Sequence, residues 1–171
     1  MSTEHIRQSL DRVAQHFGAH PQDALSLDKA AVAVIEAGLR CRAEGPDGAV
    51  LVSDMPLPIG GGGTAPSPGW LLRAALANCD ATVIAMRAAQ LGIVLKRLEV
   101  TVESRSDDRG LLGIAESVPP GPLSVRVCVR VAADGVSPEQ LHELVRWAEA
   151  HSPVSDAVRR AVHCTTEILV D

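Results

Sequence analysis

The sequence predicts an α+β domain with a largely antiparallel sheet. Strand-like segments come in adjacent pairs instead of alternating one by one with helices, and one long apolar helical run, residues 68–91, dominates the middle. The core must be built from Val, Leu, Ile and Ala, because aromatic residues make up only 2% of the chain, as Phe17, Trp70 and Trp147. At 171 residues the chain fits one domain that buries a core without disulfide staples. It divides into an N-terminal helical arm, 1–30, and a main domain, 31–171.

Ile6, Leu10, Val13 and Phe17 recur at helical spacing before Gly18 and Pro21, which predicts a short amphipathic helix in the arm. Residues 31–44 are β-branched or alternate, with Leu39, Cys41 and Ala43 opposite Arg40, Arg42 and Glu44, so a strand is expected there. Glu-Gly-Pro-Asp-Gly at 44–48 is a turn signal, and 49–53 reads as the returning strand of a hairpin. A Gly/Pro-rich loop, 56–68, then leads to Ser67 as N-cap and Pro68 as first helical residue, with Gly92 closing the long helix. Leu98, Val100 and Val102 alternate with polar neighbours, as do Leu123, Val125, Val127, Val129 and Val131, giving two half-buried strands. Ser137-Pro-Glu-Gln140 is a capping box that opens a helix stopped by Pro153. A short helix, 155–162, and a terminal strand, 164–170, complete the expected order.

Charge and composition exclude several function classes. The net charge of −5 is spread over interspersed acids and bases, so nothing marks a nucleic-acid or anionic-membrane partner. The first residues lack a signal-peptide stretch and no run is long and apolar enough to span a bilayer, which predicts a cytoplasmic protein. Cys41, Cys79, Cys128 and Cys164 show no CxxC spacing and read as free thiols. The six scattered histidines form no HExxH or zinc-like pattern, so no metal or other cofactor is expected. The four glycines at 60–63 lack the Gly-Lys-Ser/Thr of a phosphate cradle and read as a mobile loop.

At 100° steps, Leu72, Ala75, Leu76, Cys79, Val83 and Met86 share one face of the long helix, while alanines fill the opposite face. Charge is confined to Arg73, Asp80 and Arg87 on a stripe between. Such a helix has to be covered on both sides, and a second subunit is the expected second layer. On helix position alone Cys79 is a small buried hydrophobe, too deep to feel the N-terminal dipole; a reactive thiolate there needs a nearby cation.

Gly-Gly-Gly-Gly-Thr-Ala-Pro-Ser-Pro at 60–68, Leu-Leu-Arg-Ala-Ala-Leu-Ala-Asn-Cys ending at Cys79, and His-Ser-Pro-Val-Ser at 151–155 together resemble the OsmC/Ohr family, the osmotically inducible and organic-hydroperoxide-resistance proteins. The resemblance runs over residues 39–171. It implies an intertwined homodimer, antiparallel-rich sheets wrapped around central helices, active sites at the subunit interface, and a place in the oxidative stress response. It also implies that Cys79 is a peroxidatic cysteine, which attacks the O–O bond, becomes a sulfenic acid and is captured by a second cysteine. Two positions depart from the pattern. Ser152 stands where the resolving cysteine belongs, so the two-cysteine cycle is closed unless Cys41, Cys128 or Cys164 approaches instead. Gly69 stands where the hydroperoxide-resistance branch has a glutamate that orients an activating arginine. Arg40 and Arg42, in the N-terminal strand region, are the candidates for that arginine.

Cys128 shares a strand face with Arg126 and Arg130, an arrangement that favours a thiolate, though a half-exposed strand cysteine among solvated arginines is the simpler reading. Cys41 and Cys164 read as packing residues. Two functional expectations follow. The first is reduction of small organic hydroperoxides through Cys79, with an external thiol reductant replacing the missing cysteine. The second is a non-peroxidatic relative whose interface pocket holds another small apolar molecule, or whose role is structural.

Overall fold

The computed structural model describes residues 2–170. Helix α1, Thr3–Ala19, is capped by the Ser2 side chain and packs against the long helix. Strands β1, Val32–Ala37, β2, Arg40–Glu44, and β3, Val50–Ser53, form a three-stranded antiparallel sheet in that order. Then come α2, Pro68–Gln90, strand β4, Leu95–Arg105, a single-turn helix α3, Asp108–Leu111, strand β5, Ser124–Ala133, and helices α4, Pro138–His151, and α5, Pro153–Arg159. Strands β4 and β5 form a second, two-stranded antiparallel sheet.

The α+β class and antiparallel pairing agree with the sequence reading, and local signals set several boundaries. Ser67 accepts a hydrogen bond from the Trp70 amide ahead of Pro68, and Gly92 takes the left-handed conformation at φ 70° just past α2. Both halves of the Ser137–Gln140 capping box are formed. Alternation on β4 and β5 puts Leu98, Val100 and Val129 against a core of Ile84, Ala88, Leu144 and Ala148. Full burial of Ile84 and Leu144 contributes about 1.5–3 kcal/mol each.

Other expectations are corrected. The segment 31–44 is not one strand: Gly38, at φ 57°, and Leu39 turn it back on itself so that Ala37 pairs with Arg40. The last helix begins two residues early, because Ser152-Pro153 makes a better start than Ser155. Residues 164–170 form no strand, since no strand edge within the chain pairs with them. Ile168, Leu169 and Val170 are exposed, and Cys164 with them is no packing residue. On α2 the buried line is Leu76, Asp80, Ile84 and Ala88, while Leu72 and Met86 remain exposed; β4 and α4 cover the helix along that line. In α1, Ile6 and Leu10 are half-buried but Val13 and Phe17 are exposed. No helix among the described residues is long and apolar enough to cross a membrane.

Candidate functional site

The site forms where α5 starts against the middle of α2. Ser152 ends α4 and caps α5, a position for which serine is suited because its oxygen accepts from the first free amides. It accepts at 3.4 Å from the Ser155 amide, and its hydroxyl donates at 3.2 Å to the sulfur of Cys79. Ser152 is wholly buried and Cys79 half-buried.

One residue further along α2, the Asp80 carboxylate is buried and accepts at 2.7 Å from the Ser155 hydroxyl. Periodicity alone puts Asp80 on a charged stripe and gives Ser155 no role. The signal that could have found the pair is a lone acid in an apolar helical run beside the cysteine. Together the two serines of α5 hold consecutive residues of α2.

The glycine string is tied down instead of forming a mobile loop. It wraps around the carboxylate of buried Asp54, which accepts from the amides of Met55, Gly62 and Thr64 and from the Thr64 hydroxyl. These bonds, those of Thr64 foremost, lower the Asp54 pKa to about 2. A Cβ at Gly61 would stand 1.8 Å from the Met55 carbonyl oxygen, so glycine is required there. The loop sets the start of α2, because the Asp54 amide also bonds the Pro66 carbonyl just ahead of the Ser67 cap.

Neither candidate arginine is bonded to Cys79. Arg40 donates to Thr64 at 2.7 Å and to Glu36, linking the β1–β2 hairpin to the glycine loop. Arg42 pairs with Glu44. At Gly69 the neighbouring cation is instead Arg73, whose Nη1 would lie 3.9 Å from a Cβ added there. In the sequence Arg73 is only one member of the charged stripe.

A family model for OsmC-like proteins matches residues 60–167, which carry α2, Cys79, Ser152 and α5. The chain belongs to the OsmC-like family. Among solved structures, it is similar to an organic hydroperoxide resistance protein from Legionella pneumophila, at 25% identity and TM-score 0.55, over 76% of this chain and 89% of that one. An OsmC-like protein from Mycoplasma pneumoniae is 13% identical with TM-score 0.67, over 79% and 89% of the two chains, and shares the fold. The organic hydroperoxide resistance protein OhrB of Bacillus subtilis is 22% identical with TM-score 0.50, over 76% and 90%. A search of curated proteins returns no match.

Elsewhere in this OsmC-like chain, the arginines flanking Cys128 are engaged across the sheet, Arg130 with Glu99 at 2.6 Å and Arg126 with Glu103 at 3.4 Å. Cys41 lies half-buried on β2 opposite Ser53. His151 stacks on Trp147, centroids 3.9 Å apart, with Arg87 over the other end of the cluster at 4.4 Å from the Trp147 ring. The Arg87–Trp147 contact joins α2 to α4.

Proposed function

We propose that this OsmC-like protein reduces organic hydroperoxides through Cys79 as its single reacting thiol, and that an external thiol completes the cycle. The observation that carries this reading is the wholly buried Ser152 hydroxyl donating to the half-buried Cys79 sulfur where α5 meets α2. In the first step the thiolate attacks the terminal peroxide oxygen and the O–O bond breaks. The alkoxide takes a proton and leaves as the alcohol, and Cys79 becomes a sulfenic acid. Ser152 donates a hydrogen bond to the sulfur before attack and has no sulfur with which to form a disulfide. An external thiol therefore attacks Sγ with loss of water, and a second thiol releases Cys79 and leaves as the disulfide. Two thiols are oxidised for each hydroperoxide reduced.

The family membership and the hydroperoxide-resistance likeness at 25% identity support this reading. We further propose a homodimer. Val32, Val34 and Ile35 on β1 and Ile168, Leu169 and Val170 near the end are exposed apolar side chains for which this chain supplies no cover. A second copy would cover them and give the unpaired terminal segment a strand edge.

One observation favours the second reading, a non-peroxidatic binding or structural role: no guanidinium among the described residues is bonded to Cys79. Hydroperoxide consumption separates the two. With dithiothreitol as reductant, the wild-type protein should consume cumene hydroperoxide and Cys79→Ser should not. Equal rates in the two proteins would rule out the peroxidatic reading.

A further inference from the structure

Between α4 and strand β5, bordered by the middle of α2, lies a cavity of about 760 Å³, within the range of small-molecule sites. Ile84, Val129, Leu141 and Val145 give it apolar walls. Cys79 is not among the residues that line it, so the cavity stands apart from the thiol and from the reaction proposed there.

One lining residue is an acid, Asp80, that is only 3% exposed. Oδ1 accepts from the Ser155 hydroxyl, and Oδ2 has no hydrogen-bond partner among the described residues. No side-chain oxygen or nitrogen among those residues is both sealed from solvent and unpartnered, so Oδ2 keeps an opening, and this cavity is the space that Asp80 lines. The other buried acid, Asp54, accepts four hydrogen bonds from Met55, Gly62 and Thr64. Asp80 has one hydroxyl donor and no ion pair among the described residues, and a carboxylate so placed in apolar surroundings calls for a cation.

The arginines of the cavity differ from one another in the same way. Arg97 and Arg130 both pair with Glu99, whereas Arg146, exposed on α4, forms no ion pair among the described residues. Glu149, the remaining acid of the lining, pairs with Arg159. Ser155, which holds Asp80, lies just beyond the end of α4, and Arg146 stands about 9 Å before Ser152 along that helix. The cavity therefore offers an uncommitted carboxylate inside and an uncommitted guanidinium at its exposed rim, and no ion pair joins the two.

We propose that this cavity binds an ω-amino carboxylic acid, its ammonium on Oδ2 of Asp80, its methylene chain along Ile84, Val129 and Val145, and its carboxylate on Arg146. Both charges of such a ligand meet an opposite charge that the fold leaves unused. A simple amine leaves Arg146 unpaired, and a simple carboxylate leaves Asp80 without its cation.

The test is calorimetric titration of ω-aminooctanoate, octylamine and octanoate into wild type, Asp80→Asn and Arg146→Gln, each checked for folding by thermal melting. In wild type ω-aminooctanoate should bind at least about tenfold tighter than octanoate and about two- to fivefold tighter than octylamine. Asp80→Asn keeps an acceptor for Ser155 while removing the charge, and should weaken ω-aminooctanoate and octylamine by about tenfold or more. Arg146→Gln, at an exposed position, keeps the test open if Asp80→Asn does not fold; it should weaken ω-aminooctanoate about two- to fivefold and leave octylamine unchanged. No binding of ω-aminooctanoate at millimolar concentration, octanoate or octylamine binding as tightly, or an affinity unchanged by Arg146→Gln or by folded Asp80→Asn would overturn the site. No peroxide enters the titration, so its outcome does not depend on whether Cys79 reacts.

Discussion

The Ser152 hydroxyl donates to the Cys79 sulfur at 3.2 Å across 73 positions of sequence. The same oxygen caps α5, so the residue that contacts the thiol also starts that helix. Its two effects are separable by measurement.

Ser152→Ala removes the donor and the cap together. Loss of the cap should cost about 0.5–2 kcal/mol of stability, seen as a lower Tm. Loss of the hydroxyl that donates to the sulfur, an ordinary hydrogen bond worth about 0.5–1.5 kcal/mol, should slow alkylation of Cys79 by roughly 2- to 13-fold. Ser152→Asn keeps a capping side chain, so recovery of Tm without recovery of alkylation rate would separate the two roles. An unchanged alkylation rate in Ser152→Ala would show that the hydroxyl does not tune the sulfur.

Asp54 links folding to acid. Its folded pKa, about 2, lies below the ordinary value of 3.8, so its carboxylate stabilises the fold at pH values above about 4. That stabilisation declines as the pH falls from about 4 through 2. Urea unfolding of wild type from pH 6 to pH 2 should show this loss. Asp54→Asn should be less stable at pH 6 and show a shallower pH slope; parallel wild-type and variant curves would mean that Asp54 is not the linked group.

Ser155→Ala leaves the buried Asp80 carboxylate without its hydroxyl donor. A destabilisation of about 1–3 kcal/mol is expected by denaturant unfolding. A double-mutant cycle with Asp80→Ala should give a coupling energy well above about 0.5 kcal/mol, and simple additivity would mean that the pair does not hold α5 to α2.

Features that depend on neighbours along the chain are legible in the sequence. The Ser67-Pro68 start and Gly92 stop of α2, the Ser137 capping box and the alternation of Leu98, Val100 and Val102 are set within a turn or a strand of themselves. Resemblance singles out Cys79 and Ser152, but their 3.2 Å approach follows only from the packing of α5 on α2. Periodicity misplaces Asp80 because its partner is 75 positions away, and helical spacing carries no information about so distant a hydroxyl. The hairpin turn at Gly38 is hidden by alternation that continues through it. Residues 164–170 have a strand pattern but pair with none of the sheet edges of the described residues, and pattern alone cannot supply a partner. The Arg73 hydrogen bond to Ser104 carries no sequence signal, because the two residues lie on different elements 31 positions apart.

The proposed chemistry requires that peroxide oxidise the Cys79 sulfur. Mass spectrometry of the protein after one equivalent of cumene hydroperoxide, with dimedone present to trap sulfenic acid, reads that event on the residue itself. In wild type a dimedone adduct is expected on Cys79 and none on Cys41, Cys128 or Cys164. In Ser152→Cys a disulfide between Cys79 and the introduced cysteine should replace that adduct. An unmodified Cys79 in wild type after the hydroperoxide has been consumed, or adducts confined to the other cysteines, would refute a peroxidatic Cys79.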